Sequence, residues 1–273
     1  SQALDLARRR LAFEELFLFT LGLRRLRKRR EVVEVEPFRP VDMEAFYSAL
    51  PFTLTEAQRR CVEEALADMA SGRPMNRLCQ GDVGSGKTMV AAACAYFCVK
   101  NGRQAALMAP TEILARQHYA GLAPLMEPMG IRCALLTGAS TAKEKKAVAA
   151  RLAAGEIDFI LGTHALITGG VEYKRLGLVV TDEQHRFGVG QRAALAGKGD
   201  HPHTLVMSAT PIPRTLALIL YGDLDVSVID QLPPGRRPVQ TSFVDSRYHP
   251  RIYQFLRKLV GEGRQAYIVC PQV

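Results

Sequence analysis

Residues 81–88, Gly81-Asp82-Val83-Gly84-Ser85-Gly86-Lys87-Thr88, have the spacing G-x-x-x-x-G-K-[ST], which limits the fold more than any other stretch of the chain. A triphosphate needs many hydrogen-bond donors at close quarters, and side chains would crowd them out. Gly81, Gly84 and Gly86 let successive backbone N–H groups turn inward around Ser85 as an anion-binding nest. Such a nest follows a strand and opens into a helix N-terminus, whose free amides and dipole also favour anions. Both flanks are legible: a short, partly apolar run at 76–80, and an alanine-rich helical run at 89–100 closed by Asn101-Gly102. Lys87 can then reach the β- and γ-phosphates, and Thr88 can offer its hydroxyl to Mg²⁺.

The same alternation runs through the middle of the chain. Short apolar runs predict strands at 77–80, 105–109, 133–136, 159–162, 178–181 and 204–208. Helical patterns lie between them at 89–100, 113–126, 143–153, 189–196 and 214–219. Apolar strands buried on both faces and joined by helices describe an α/β fold with a mainly parallel, doubly wound sheet. Ahead of it, Thr53 or Thr55 caps a helix at 56–70, and prolines at 37, 40 and 51 mark a connector with one brief helix at 42–50. Residues 1–30 place Leu4, Ala7, Leu11, Leu16, Phe19, Leu23 and Leu26 near helical spacing. A chain that opens inside such a pattern, without Met, reads as a piece of something longer. Leu232-Pro233-Pro234-Gly235 begins a linker, and one helix at 250–261 between strands at 239–244 and 265–270 follows it. The expected divisions are therefore 1–50, 51–232 and 233–273.

Several residues carry chemistry by type and place. The strand at 178–181 ends in Asp182 and Glu183, beside the phosphate loop if the sheet is parallel. Asp182 would hold Mg²⁺ through its waters, and Glu183 would position and deprotonate the attacking water. Gln58, shortly before the loop, can donate to and accept from adenine N7 and N6 together. Ser208 and Thr210 end another strand, where their hydroxyls can bond the acidic pair and couple it to nucleotide state. Thr111, Thr137 with Gly138, and Thr163 with His164 all follow strands, where backbone N–H groups and hydroxyls suit nucleic-acid phosphates. Taken singly, each is equally a plain helix cap. Gln184 and His185 extend the acidic pair. Arg186 and Phe187 follow as a cation and an aromatic able to touch a sugar or a base. No second His or Cys stands at ligand spacing from His185.

The net charge is +9, and residues 1–30 hold nine Lys and Arg against three acidic residues, two-thirds of that excess. A polyanionic partner and a solvated helix face explain this segment equally well. The six cysteines include no C-x-x-C pair and mostly sit in apolar runs, as reduced core residues of a cytosolic protein do. No apolar run approaches the roughly 20 residues that span a bilayer. A different P-loop NTPase, such as a GTPase, is a second class, against which stands the lack of any Asn-Lys-x-Asp guanine signature. A nucleic-acid-binding module with an idle nucleotide site remains open.

The motifs together resemble superfamily 2 helicases, and more narrowly the RecG-type branched-DNA helicases of bacteria. The resemblance rests on residues 6–16, 80–88, 109–118, 182–189, 208–216 and 223–234. Transcription-repair coupling translocases are similar at 210–216, but Gln184 and the N-terminal arginine helix fit the RecG type better. The resemblance implies a RecA-like first motor lobe that binds ATP and Mg²⁺. It implies double-stranded, branched DNA as partner, a monomer acting in the bacterial cytoplasm, and roles in fork regression and branch migration. It also implies a wedge domain ahead of residue 1 and a second lobe, bearing arginine fingers, of which 233–273 would be the start.

Overall fold

Each of the six apolar runs forms a strand, and a seventh strand joins them. The computed structural model describes residues 2–31, 33–168, 170–182, 194–209, 224–231 and 241–269. In it β1 (Asn76–Gly81), β2 (Gln104–Met108), β3 (Cys133–Leu136), β4 (Phe159–Gly162), β5 (Leu176–Thr181), β6 (His203–Ser208) and β7 (Asp225–Ile229) form one sheet, ordered β3-β4-β2-β5-β6-β1-β7. All neighbouring pairs are parallel. The strands β2, β4, β5 and β6 are buried along their whole length, which is why they read as unbroken apolar runs. Successive residues serve opposite faces. Ala105 and Leu107 join the larger core, with Phe46, Met69 and Cys94, while Ala106 and Met108 join a second core with Leu136, Ile160 and Val179.

The helices described ahead of and between the strands are α1 (Gln2–Glu31), α2 (Glu44–Ala49), α3 (Glu56–Met69), α4 (Lys87–Lys100), α5 (Glu112–Met126) and α6 (Ala142–Ala154). Threonines set three of their starts. Thr55 and Thr141 build reciprocal capping boxes with Gln58 and Glu144, and Thr111 Oγ1 accepts from Leu114 N. The basic helix α1 leaves Leu6, Leu11, Phe13 and Leu18 exposed. The connector that follows is no loose tether: Phe38 and Phe46 are buried in the larger core, so packing does not mark the division expected at residue 50. By packing the chain falls into two units, Ser1–Pro234 and Gly235–Val273, a boundary beside the one expected after residue 232.

Three expectations need correction. Residues 225–229, where no strand is expected, form β7, which pairs with β1 from Arg77↔Asp225 to Gly81↔Ile229. It escapes notice because an edge strand is half exposed and its Asp-Val-Ser-Val-Ile is short. Buried Arg77 stitches it in place, paired with Glu64 at 3.0 Å and Asp68 at 2.7 Å and donating to Ser227 Oγ at 2.7 Å. In the second unit α7 (His249–Gly261) forms as expected, but described residues 241–244 and 265–269 form no strands. A strand exists only as a paired ladder, and nothing described within this unit supplies one. The helix expected at 214–219 and most of that at 189–196 lie outside the described residues. The cysteines match their reading: Cys61, Cys79, Cys94 and Cys98 are free and buried, and burial pushes the Cys94 thiol up to about 12.

His203, at the start of β6, is buried as the neutral ring. Its Nδ1 accepts from Met75 N at 2.9 Å, and Phe38 meets its ring edge-on with centroids 4.7 Å apart. Burial, helped by the nearby charge of Arg103, lowers its pKa to about 4. The unfolded chain therefore binds the proton more readily, and this stability is complete above the ordinary histidine pKa and is lost as pH falls from there toward 4. The full effect is about 3 kcal/mol. Denaturant titration at neutral pH and near pH 4.5 should show a smaller acid loss for His203→Asn, which keeps an acceptor and does not titrate. An equal loss in both proteins would mean other groups carry it.

Candidate nucleotide-binding site

A parallel sheet brings every strand's carboxyl end to one edge, and the sequence-predicted residues gather there. β1 runs directly into the phosphate loop, and α4 starts at Lys87. Gly84 and Gly86 have φ of 76° and 90°, the left-handed conformation the nest requires. Gly86 has a second reason to lack a side chain, since a Cβ would collide with Gln58 Nε2. Ser85 N donates to Asp82 O at 3.1 Å, closing the turn. Ser85 Oγ is buried without a hydrogen-bond partner among the described residues. Lys87 Nζ donates to Gly81 O at 2.6 Å and Asp82 O at 2.8 Å, which holds the ammonium over the loop. Phosphate oxygens are stronger partners for an ammonium than carbonyls are, so these bonds do not tie it there. Thr88 stands half-buried in the first turn of α4.

Gln58 is packed against the phosphate loop. The residue is 3% exposed; its Oε1 accepts from Thr55 N at 2.9 Å, and its Nε2 donates to Ser85 O at 2.7 Å. The carboxamide therefore braces the cap of α3 against the phosphate loop. The glycine at 86 is what lets the amide pack directly onto the loop.

Asp182 leaves the end of β5 with its N–H bonded to Met108 O at 3.0 Å. Its Oδ2 meets His118 Nε2 at 2.7 Å, with the two side chains 13% and 12% exposed. A carboxylate only accepts, so Nε2 is the donor. Ser208 ends β6 opposite Gln80 and is buried, so it lies in the gap between the loop and Asp182. One carboxylate and one hydroxyl, with phosphates and water to complete the shell, is a donor set that fits Mg²⁺.

The other half of the edge carries the phosphate-contact candidates. Thr111 follows β2 half-buried, with its hydroxyl engaged in capping α5. Gly138 follows β3 exposed, its carbonyl accepting from Lys145 Nζ at 2.7 Å, and exposed His164 follows β4 beside it. Thr137 and Thr163 differ from expectation: both hydroxyls are buried and lack a partner among the described residues. Their neighbours Gly138 and His164 are the exposed residues at these strand ends. Glu183, Gln184, His185, Arg186, Phe187 and Thr210 lie outside the described residues. His118 was not singled out as a functional residue. Its only sequence signal is helical spacing, seven residues after Thr111 and so on the same face of α5.

Comparisons with known proteins agree with this arrangement. The DEAD/DEAH box helicase family profile matches residues 55–219. The ATP-dependent DNA helicase RecG of Bacillus subtilis is 51% identical over 275 residues, covering 100% of this chain and 40% of that protein. RecG of a Synechocystis species is 49% identical, again over 100% of this chain and 33% of the relative. The chain thus spans about a third to two-fifths of these relatives' length. A solved structure of RecG bound to a three-way DNA junction superposes with a TM-score of 0.88 at 48% identity, over 99% of this chain and 37% of that one.

Two substitutions test the loop. Lys87→Ala should abolish binding of a fluorescent ATP analogue, and undiminished affinity would sink the assignment. Gln58→Ala should weaken ATP and inorganic triphosphate about equally, because the brace acts on the loop that holds phosphate. A loss confined to ATP would mean that Gln58 contacts adenine.

Proposed function

The chain belongs to the DEAD/DEAH box helicase family, and on that footing we propose that it is the ATP-binding half of a RecG-type DNA helicase acting on branched DNA. The observation that carries the reading is the shared edge: phosphate loop and Asp182 at one half, exposed Gly138, His164 and the start of α5 at the other. Identity of about half over the whole chain to proteins named RecG supports the narrower assignment. So does the likeness to a junction-bound RecG.

In this reading the nest amides and Lys87 hold the triphosphate, and Thr88 and Asp182 hold Mg²⁺. When bound, Mg²⁺ neutralises charge on the β- and γ-phosphates. Glu183 takes the proton of the attacking water as it adds to the γ-phosphorus, and ADP leaves. Ser208 and Thr210, with Gln184 and His185, pass the nucleotide's state to the strand ends. Thr111, Gly138 and His164, with Thr137 and Thr163 through their backbone, face the DNA phosphates, and Arg186 and Phe187 touch a sugar or a base. Residues 51–232 would form the first motor lobe, 1–50 the basic helix and connector from a preceding wedge, and 233–273 the linker and beginning of a second lobe. The whole protein would translocate on double-stranded DNA as a monomer in the bacterial cytoplasm, regressing stalled forks and migrating branches. Among the described residues no helix is long and apolar enough to cross a membrane.

Turnover should need more than this half. Charge spreads over the equatorial oxygens of the transferring phosphoryl group, and an arginine from across the cleft is worth roughly 10³–10⁵ in rate. The isolated chain should therefore hydrolyse ATP very slowly, with hardly any response to forked DNA, while the full-length parent responds strongly. DNA-stimulated turnover near the parent's rate would place the finger within this chain. In the parent, Glu183→Gln should keep nucleotide affinity and lower turnover by about 10²-fold or more. Near-parental hydrolysis in that variant would assign the water to another base.

A further inference from the structure

The sheet order separates the two halves of the carboxyl edge, and one helix crosses between them. α5 begins at Thr111, behind β2 on the DNA-facing half, and its His118 reaches Asp182 at the end of β5 on the phosphate half. We propose that His118 is a positioning residue for Asp182, fixing the carboxylate that faces Mg²⁺ and tying it through α5 to the loop that meets DNA. The proposal rests on the reading of Asp182 as a metal-holding group.

Three observations carry it. The bond is short, 2.7 Å, and both side chains are nearly nine-tenths buried, so water competes poorly for either partner. With Oδ2 engaged by a ring nitrogen and the Asp182 N–H tied to Met108 O, the carboxylate has one orientation rather than several. Groups that orient a metal-facing carboxylate in this way raise metal affinity, typically 10–100-fold by mutation. Second, α5 is anchored on the sheet by buried Ala115, Leu122, Ala123 and Met126, so it moves as a body. Third, Thr111 and His118 are two turns apart on one face, about 10 Å along the axis. A displacement of the helix start by a bound phosphate is therefore delivered to Asp182 without any chain of side chains between.

The test uses the full-length parent at one pH and ionic strength. A fluorescent ATP analogue is titrated at a series of Mg²⁺ concentrations and without Mg²⁺, with and without forked DNA. His118→Ala should raise the half-saturating Mg²⁺ concentration about tenfold, leave Mg²⁺-free nucleotide affinity unchanged, and shrink the effect of DNA on Mg²⁺ dependence. His118→Gln, whose amide can donate to Asp182, should recover most of the loss. A packing role alone would lower stability and leave the Mg²⁺ dependence unmoved. If His118→Ala does not fold, His118→Asn, whose amide is too short to reach Asp182, replaces it. Parental or tighter Mg²⁺ dependence in these variants overturns the proposal. Asp182→Asn separates the two levels: if it shifts the Mg²⁺ dependence while His118→Ala does not, only the role of His118 falls. If Asp182→Asn shifts nothing, the metal reading of Asp182 falls with it.

Discussion

Parallel pairing is the constraint on which everything else in this molecule depends. Because every strand points the same way, seven strand ends and the starts of α4, α5 and α6 share one edge, where free N–H groups and helix dipoles favour anions. The order then decides which ends are neighbours. β1 and β5 are separated by β6 alone, so the loop and Asp182 face each other across buried Ser208. β2, β4 and β3 continue the row outward. A polyanion laid along that row and a nucleotide in the crevice would be held by one rigid sheet, with no hinge between them.

The edge is kept in shape by buried polar side chains rather than by its apolar core alone. Gln58 holds the phosphate loop to α3, and Arg77 holds β7 and α3 to the strand that enters the loop. Gln104, 5% exposed, donates to Leu152 O and Ile157 O and accepts from Arg175 N, fixing the start of β2 against the end of α6 and the approach to β5. Each is fully enclosed and bonded at both ends, so removing one would strand its partners. Site geometry therefore depends on these braces as well as on the loop itself.

Those braces are also what the sequence conceals. The six expected strands are legible to within two residues: five are inner, where burial on both faces leaves continuous apolar runs, and edge strand β3 keeps an apolar Cys-Ala-Leu-Leu run. The phosphate loop is legible because backbone chemistry demands its glycines in order. An edge strand such as β7 has only one covered face and half the signal. Strands expected at 239–244 and 265–270 have the right residues, but the described part of their unit offers no ladder partner. Gln58 and His118 show the limit at the site. Both are polar residues on helices, and spacing places them on a face without revealing which neighbour that face meets. Gln58 braces the loop, a contact its spacing does not disclose, and the hydroxyls of Thr137 and Thr163 are buried at the strand ends.

The central claim is that nucleotide and DNA occupy separate halves of one carboxyl edge. Hydrogen exchange on the full-length parent tests it directly, with Mg²⁺ and a non-hydrolysable ATP analogue in one arm and forked DNA in the other. The nucleotide should slow exchange at amides 82–89 and around 182, and DNA alone should slow it at 111–114, 138–140 and 164–166. Protection of the second set by nucleotide contacts alone, or of the phosphate loop by DNA in place of the β3 and β4 ends, would contradict the account.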